Sequence, residues 1–171
     1  MRDGDRRRAA RFAAAALAIV ASLGASRAAP LPVTLEDVAT GAKVEVAAGP
    51  RALHLVFFAT WCQPCVDELP RLADLEARFG PQGYKLVLVA VPTRQTRERV
   101  AKMAQEKNPP GQLLFDSDGA SEKALGVQML PTHLLFDKDG KLVLTARALS
   151  DGVEPAIESL VSRGGRREKP R

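Results

Sequence analysis

The chain of 171 residues is 46% hydrophobic and 26% charged, which is the composition of an ordinary globular protein with room for one domain and extensions. Its formal net charge of +5 is concentrated at the two ends, which carry four net positive charges each and leave residues 29–162 at −3. The basic isoelectric point is therefore no argument for nucleic-acid binding, and no pattern of basic and aromatic residues supports such binding.

Residues 1–28 have the layout of a secretory signal. Four arginines between positions 6 and 11 precede an apolar, alanine-rich stretch over residues 12–23, and small residues follow close to Ala28. The apolar stretch is shorter than the ~20 residues of a membrane-spanning helix, so we expect cleavage after Ala28. The alternative is an uncleaved anchor that tethers the protein to a membrane.

Residues 29–162 are expected to form one domain, and residues 163–171, rich in arginine and glycine, a disordered basic tail. The domain holds the only two cysteines of the chain, Cys62 and Cys65. If the protein is exported, no further cysteine pair is present to form a structural disulfide. An isolated Cys-x-x-Cys pair in an oxidising compartment is then catalytic or metal-binding.

Hydrophobic periodicity predicts an α/β domain in which helices flank a central mixed sheet. In chain order we predict a β-hairpin over residues 33–47, a buried strand over 53–59, a helix over 66–79 kinked at Pro70, a strand over 85–91, a helix within 92–107, a strand over 112–115, a helix over 121–125 capped by Ser121, a β-hairpin over 132–145 and a helix from Asp151. The alternation of strands and helices indicates a parallel core, to which the terminal hairpin adds antiparallel strands. We expect His54 at a strand edge, bonded to a neighbouring carbonyl; a metal or proton role is the alternative.

The segment from Trp61 to Cys65, Trp-Cys-Gln-Pro-Cys, stands between the buried strand and the first helix. We expect Cys62 at the helix N-terminus, where unpaired N–H groups and the helix dipole favour the thiolate. Cys65 follows about one turn later, close enough to form a small disulfide ring. Pro64 suits the first turn, where its missing N–H costs nothing. By itself this motif indicates redox chemistry or metal binding.

Further landmarks accompany the motif. Phe57 to Ala59 leads into it, Pro70 follows it, and Met129-Leu130-Pro131-Thr132 precedes a hairpin sequence over residues 136–141. With these landmarks, residues 31–162 resemble the thioredoxin-like superfamily, and within it the TlpA/ResA-type thiol–disulfide oxidoreductases of the bacterial cell envelope. The resemblance implies a thioredoxin-like fold with an N-terminal β-hairpin extension.

The same resemblance implies a set of substrate-binding residues. Pro131 would follow a cis peptide bond and turn the chain beside the cysteines. The backbone of Leu130 would pair with the substrate chain like an added strand, with Thr132 next to it. Trp61 would pack beside the cysteines, either as part of the substrate site or as core filling.

The resemblance also implies the catalytic roles. Cys62 would be the exposed nucleophile and Cys65 the shielded resolving thiol. Thioredoxins carry a buried acid six residues before the first cysteine, but that position is Val56 here. Glu68 lies three residues after Cys65, on the same helix face, and TlpA/ResA-type proteins have a glutamate at the matching place. We expect Glu68 to take and return the proton of Cys65; a surface glutamate is the alternative.

We therefore expect a periplasmic dithiol–disulfide reductase that needs no cofactor and no resident metal. A membrane thiol reductant would supply its electrons, and its clients would be disulfide-containing secreted proteins, such as apocytochrome c or copper-site proteins. One alternative is a copper chaperone that uses Cys62, Cys65 and either His133 or His54. A weaker alternative is a thiol peroxidase of the AhpC/TSA type, although Thr60-Trp61-Cys62 lacks the proline expected there.

Overall fold

The computed structural model describes residues 31–163, so the predicted signal segment and nearly all of the predicted tail lie outside the described residues. The described strands and helices are β1 (Val33–Asp37), β2 (Lys43–Val46), β3 (Ala52–Phe58), α1 (Gln63–Asp67), α2 (Leu69–Phe79), β4 (Tyr84–Ala90), α3 (Arg97–Lys107), β5 (Gln112–Phe115), α4 (Ala120–Ala124), β6 (Thr132–Asp137), β7 (Leu142–Ala146) and α5 (Val153–Arg163). Within residues 31–163, no helix is both long and apolar enough to span a bilayer.

The seven strands form one mixed sheet in the order β2-β1-β5-β4-β3-β6-β7. Strands β3, β4 and β5 run parallel to one another, and β6 lies antiparallel to β3. The N-terminal hairpin of β1 and β2 joins the other side of the sheet, where β1 pairs antiparallel with β5. The predicted fold class is confirmed, because the parallel core strands are flanked by an antiparallel hairpin on each side of the sheet.

Strand β3 lies in the middle of this sheet, between β4 and β6. All of its residues are buried, as its near-continuous apolar run predicts. Phe57 and Phe58 are among the largest fully buried side chains, and burial of each contributes ~1.5–3 kcal/mol. The residues after Phe58, which lead to the cysteines, therefore start from a firmly packed strand end.

The helix predicted over residues 66–79 is two helices instead. Glu68, with φ −84° and ψ −15°, separates α1 from α2. Pro70 explains the break, because it has no N–H to donate to the carbonyl of Val66 and its ring crowds that carbonyl. The predicted kink is thus a full interruption that falls two residues before the proline.

Helix α3 begins at Arg97, inside the region predicted for it. The chain after β4 first passes through Arg94, whose φ of 58° is left-handed and ends any helical path there. The hydroxyl of Thr96 then accepts the N–H of Arg99 at 3.4 Å and caps the helix.

The predicted cap of α4 is wrong. Ser121 lies inside the helix, which begins at Ala120. The carboxylate of Asp116 takes the capping role instead, because it accepts the N–H groups of Ser121 at 3.2 Å and of Glu122 at 2.7 Å. An acid several residues earlier in the chain thus satisfies donors that a serine was expected to satisfy.

Candidate active site

Cys62 and Cys65 are joined by a disulfide, so the structure is that of the oxidised protein. Cys62 is the N-cap residue of α1, with φ −85° and ψ 96°, and its carbonyl accepts the N–H of Val66 at 3.1 Å. Pro64 occupies the first helical turn, as predicted. The first cysteine therefore lies at a helix start, where a thiolate would be favoured once the disulfide is reduced.

The sulfur-bearing residues are less accessible than predicted. Cys62 is only 6% exposed and Cys65 3%, so the expectation of an exposed nucleophile is wrong for the oxidised form. Cys62 lies in a groove that Trp61 and Leu130 also line. Cys62 still lines this groove, whereas Cys65 does not.

The peptide bond between Leu130 and Pro131 is cis, as predicted. Its position beside the cysteines follows from the register of β6 against β3. Thr132, at the start of β6, pairs with Phe57 near the end of β3. Because the two strands are antiparallel, the residues before β6 and the residues after β3 lie at the same end of these strands.

The groove at this end of the strands has a volume of about 530 Å³. Two large apolar side chains are exposed in it, Trp61 at 43% and Met129 at 56%. The indole Nε1 of Trp61 donates a hydrogen bond to the carbonyl of Thr93 at 2.8 Å, which fixes the ring. Trp61 is therefore a wall of the groove and does not fill the core. The remaining lining residues are Cys62, Gln63, Pro64, Val91, Thr93, Glu122, Gln128 and Leu130.

Two predicted substrate-binding residues do not line the groove. Pro131 and Thr132 are both buried. Thr132 faces inward because it begins β6, and its hydroxyl donates to the carbonyl of Met129 at 2.6 Å. Their side chains therefore support the loop from behind, and only Trp61 and Leu130 of the predicted set reach the groove.

Sequence reasoning also missed several residues of the groove, among them Met129 and Glu122. Met129 lies within the cis-proline motif, so its place in that loop was a usable signal. Glu122 comes from α4 and is the one charged residue among those lining the groove. Burial, and after it the nearby carboxylate of Asp116, raises the pKa of Glu122.

Glu68 lies at the junction of α1 and α2 with both carboxylate oxygens hydrogen-bonded. Its Oε2 is 3.0 Å from Nε2 of His133, and its Oε1 accepts the N–H of Leu149 at 2.9 Å. Burial alone would raise the pKa of Glu68, but these two hydrogen bonds, helped by the charge of Arg71, hold the pKa below its ordinary value. Glu68 is therefore not a free surface glutamate, and its proton exchange with Cys65 stays a prediction.

The expectation for His54 is wrong. This histidine is fully buried within β3 and bonds to side chains, with Nδ1 2.8 Å from the Tyr84 hydroxyl and Nε2 3.1 Å from Nδ1 of His133. The register of β6 is the reason, because it places His133 opposite Val56 and diagonally across from His54 on the same sheet face. Val56, where thioredoxins carry their acid, is thus the direct neighbour of a histidine bonded to Glu68.

Comparison with known proteins gives the family. A family model described as the AhpC/TSA family matches residues 28–145. The chain belongs to the AhpC/TSA family. The matched residues include both cysteines, Glu68 and the cis-proline loop, so the family match covers every residue of the site described above except Leu149.

The curated relatives that match include proteins named thiol-disulfide oxidoreductase ResA. The chain is 29% identical over 112 residues to thiol-disulfide oxidoreductase ResA of Geobacillus thermodenitrificans, a match that covers 64% of this chain and 63% of that protein. It is 31% identical over 93 residues to ResA of Bacillus subtilis, covering 54% of this chain and 51% of that protein. The chain thus spans little more than half the length of the curated relatives that it matches. The predicted resemblance to ResA-type proteins is confirmed.

Solved structures show the same fold. A candidate thiol:disulfide interchange protein DsbE from Chlorobium tepidum has a TM-score of 0.67 at 25% identity, with 79% of this chain and 93% of that chain covered. An uncharacterized thioredoxin-like protein from Porphyromonas gingivalis has a TM-score of 0.64 at 26% identity, with coverage of 78% and 92%. This member of the AhpC/TSA family therefore has the thioredoxin-like fold that its motifs predicted.

Proposed function

We propose that the protein is a thiol–disulfide oxidoreductase that reduces disulfides of exported proteins. The observation that carries the proposal is the Cys62–Cys65 disulfide, placed at the start of α1 beside the cis bond of Pro131. Cys62 opens onto a groove in which Trp61 and Met129 present apolar surface to a peptide. The names of the ResA relatives support the same activity.

In the first step, the thiolate of reduced Cys62 attacks one sulfur of a substrate disulfide. The substrate S–S bond breaks, a mixed disulfide with Cys62 forms, and the first substrate thiolate leaves and takes a proton from solvent. The backbone of Leu130 pairs with the substrate chain as an added strand, and Trp61 and Met129 hold its side chains. Pro131 and Thr132 keep this loop in place from the buried side.

In the second step, Cys65 passes its proton to Glu68 and attacks the sulfur of Cys62. The mixed disulfide breaks, the Cys62–Cys65 disulfide forms, and the second substrate thiolate leaves and recovers the proton. Two electrons have moved from the protein to the substrate, which ends as a dithiol. Glu68 suits this role because it is ionised, lies one helical turn from Cys65 and is anchored on both oxygens.

We place the protein in the periplasm, with residues 1–28 as a signal or as a tether to the inner membrane, residues 29–162 as the catalytic domain and residues 163–171 as a basic tail. A membrane thiol reductant would restore the dithiol after each cycle. Apocytochrome c and copper-site proteins are the clients that we propose. The apolar walls of the groove and its one acidic residue, Glu122, suit a peptide with apolar and basic side chains.

The geometry fits the two alternative functions less well. A copper carrier would need a free histidine nitrogen near the sulfurs, but both nitrogens of His54 and of His133 are already hydrogen-bonded to other side chains. A thiol peroxidase would need a threonine or serine and an arginine beside the reactive cysteine. The Thr60 hydroxyl instead donates to Gln95 at 2.9 Å, and the residues that line the groove include no arginine.

The activity is tested with reduced protein and a model protein disulfide in a single turnover. We expect the wild type to reduce the substrate and end as the internal disulfide, Cys65→Ala to stall as a mixed disulfide, and Cys62→Ala not to react. Consumption of hydrogen peroxide at a rate above that of disulfide reduction would establish the peroxidase instead. A reduction potential near the ~−120 mV of a strong oxidant, rather than towards ~−270 mV, would overturn the direction of electron flow.

A further inference from the structure

A continuous hydrogen-bonded chain runs through the protein interior. It runs from the Tyr84 hydroxyl to His54, then to His133 and on to Glu68, with heavy-atom distances of 2.8, 3.1 and 3.0 Å. The two histidines are 0% and 1% exposed, and Tyr84 is also buried. The chain ends on the N–H of Leu149, which donates to the other oxygen of Glu68. The proposed mechanism uses only the Glu68 end of it.

The number of hydrogens in this chain fixes their direction. A neutral imidazole has one N–H, a phenol has one O–H, and a carboxylate can only accept. With Glu68 ionised and both histidines neutral, every link is filled in one way only: Tyr84 donates to His54 Nδ1, His54 Nε2 donates to His133 Nδ1, and His133 Nε2 donates to Glu68. Burial, and after it the repulsion from the positive charge that a protonated His133 carries, lowers the pKa of His54 well below its ordinary value, in keeping with a neutral ring.

One additional proton reverses this direction. If the proton is shared between Glu68 Oε2 and His133 Nε2, the remaining hydrogen of His133 must be on Nδ1. His54 must then accept at Nε2 and carry its own hydrogen on Nδ1, directed at the Tyr84 oxygen. Both states keep a hydrogen in every link, so the interior accommodates either protonation state without two donors or two acceptors facing each other.

We infer that Glu68 and His133 hold the proton of Cys65 as one pair. His54 and Tyr84 are positioning residues, and their hydrogen bonds reverse direction when the pair carries this additional proton. This inference rests on the proposed function. During the resolving step the proton leaves Cys65 for the pair and returns to the departing substrate thiolate, so no proton is gained or lost overall. The other charged groups that act on the two ends of the chain are Arg71, towards Glu68, and Glu76, towards Tyr84.

Glu68→Gln provides a reversed chain without an added proton. The Leu149 N–H is an obligatory donor, so the amide oxygen of the glutamine must face it, and the amide NH₂ must face His133. His133 can then only accept at Nε2, which moves its hydrogen to Nδ1 and forces His54 into the reversed tautomer. This variant therefore serves as the reference for the state in which the Glu68–His133 pair carries the additional proton.

The test is nitrogen NMR of the full chain labelled in histidine, which reports which ring nitrogen bears the hydrogen. The assignment is simple, because the chain contains only two histidines and both belong to this network. We expect hydrogens on both Nε2 atoms in the oxidised wild type at neutral pH and on both Nδ1 atoms in Glu68→Gln. In acid titration of the wild type, His54 should change tautomer together with the Glu68–His133 pair.

Two results would overturn the inference: a His54 hydrogen that stays on Nε2 in Glu68→Gln and throughout the acid titration, or one already on Nδ1 in the wild type at neutral pH. The proposed function fails on a separate measurement, which is the rate of the resolving step. If Glu68→Gln resolves mixed disulfides as fast as the wild type, Glu68 is not the base. If it is slow while His54 keeps its tautomer, only the inference about the chain fails.

Discussion

Removing the hydrogen-bond donor that faces Glu68 should change the pH at which Cys65 can act. In His133→Leu, Glu68 keeps the hydrogen bond from the N–H of Leu149 but loses the one that His133 donates to Oε2. Burial, which raises the pKa of Glu68, is then opposed less, so the pKa should rise. A hydrogen bond to a charged group contributes ~1.5–3 kcal/mol. We take the lower value, because the carboxylate is still 19% exposed. This corresponds to roughly a tenfold shift in the protonation equilibrium, or about one pH unit upward.

The assay is stopped-flow reaction of the reduced protein with an aromatic disulfide whose thiolate is coloured. The first release of colour reports the attack of Cys62, and the second reports the resolving attack of Cys65. In His133→Leu the acid limb of the second phase should move to higher pH by about one unit, so the rate on that limb falls about tenfold. On the alkaline plateau Glu68 is ionised in both proteins, so a slower second phase there would measure the share of the proton that His133 carries.

His133→Gln is the matched control, because its amide can still donate to Glu68 and accept from His54. We expect the acid limb of its second phase to stay at the wild-type pH, because the donor to Glu68 is kept, and its plateau rate to fall, because the amide cannot share the proton as the His133 ring does. The first phase should be unchanged in both variants. Equal shifts in the leucine and glutamine variants would show that the donor to Glu68 is not the cause. A second phase that shifts in neither variant would refute the reasoning, because Glu68 would then not be the base for Cys65.

Three further predictions concern stability and the groove. An alanine Cβ at Gly111 (φ 73°) would lie 2.7 Å from the backbone oxygen of Leu86, whereas Gly126 (φ 70°) has nothing within 4 Å. In urea titrations Gly126→Ala should therefore lose ~1–2 kcal/mol through left-handed strain alone, and Gly111→Ala roughly 1–3 kcal/mol more; equal losses would contradict the close contact. Burial raises the pKa of Glu68, but hydrogen bonding outweighs this effect and holds the pKa below 4.5. The ionised Glu68 therefore stabilises the folded protein fully above pH 4.5, and this stabilisation is lost as the pH falls through the lowered pKa. Glu68→Gln should flatten that part of the curve of unfolding free energy against pH, and an unchanged curve would count against the argument. Trp61→Ala should lower kcat/KM for a protein disulfide about tenfold or more with little change for a small aromatic disulfide; equal losses would show that Trp61 acts on the sulfur chemistry instead.

The features that the sequence predicted correctly are those with local signals. The apolar run of β3 shows burial on both faces without knowledge of its neighbours. Leu130-Pro131 and the turn of the following hairpin are also encoded over a few residues, and the cis bond and the pairing of β6 with β7 are both present. Cys62 at the start of α1 follows in the same way from the helical pattern after it.

The features that the sequence did not predict depend on how distant segments align. His54 and His133 are 79 positions apart and meet only because β6 lies antiparallel to β3 in one register. A shift of one residue would turn His133 to the other face of the sheet. The inward turn of Thr132 has the same origin, since its pairing with Phe57 fixes which way its side chain points. No local pattern around either histidine contains this information.

The carboxylate of Glu68 reaches the histidine next to Val56, although it comes from a helix junction and not from β3. Pro70 is central to this arrangement. Because the proline ends the helical hydrogen bonding at Glu68, that residue stands between two helices, where one oxygen meets β6 and the other meets the backbone of Leu149. The protonation of Glu68 therefore depends on the packing of three segments at once. In the proposed mechanism, the proton transfer from Cys65 therefore depends on the register of β6 as well as on the residues between the cysteines.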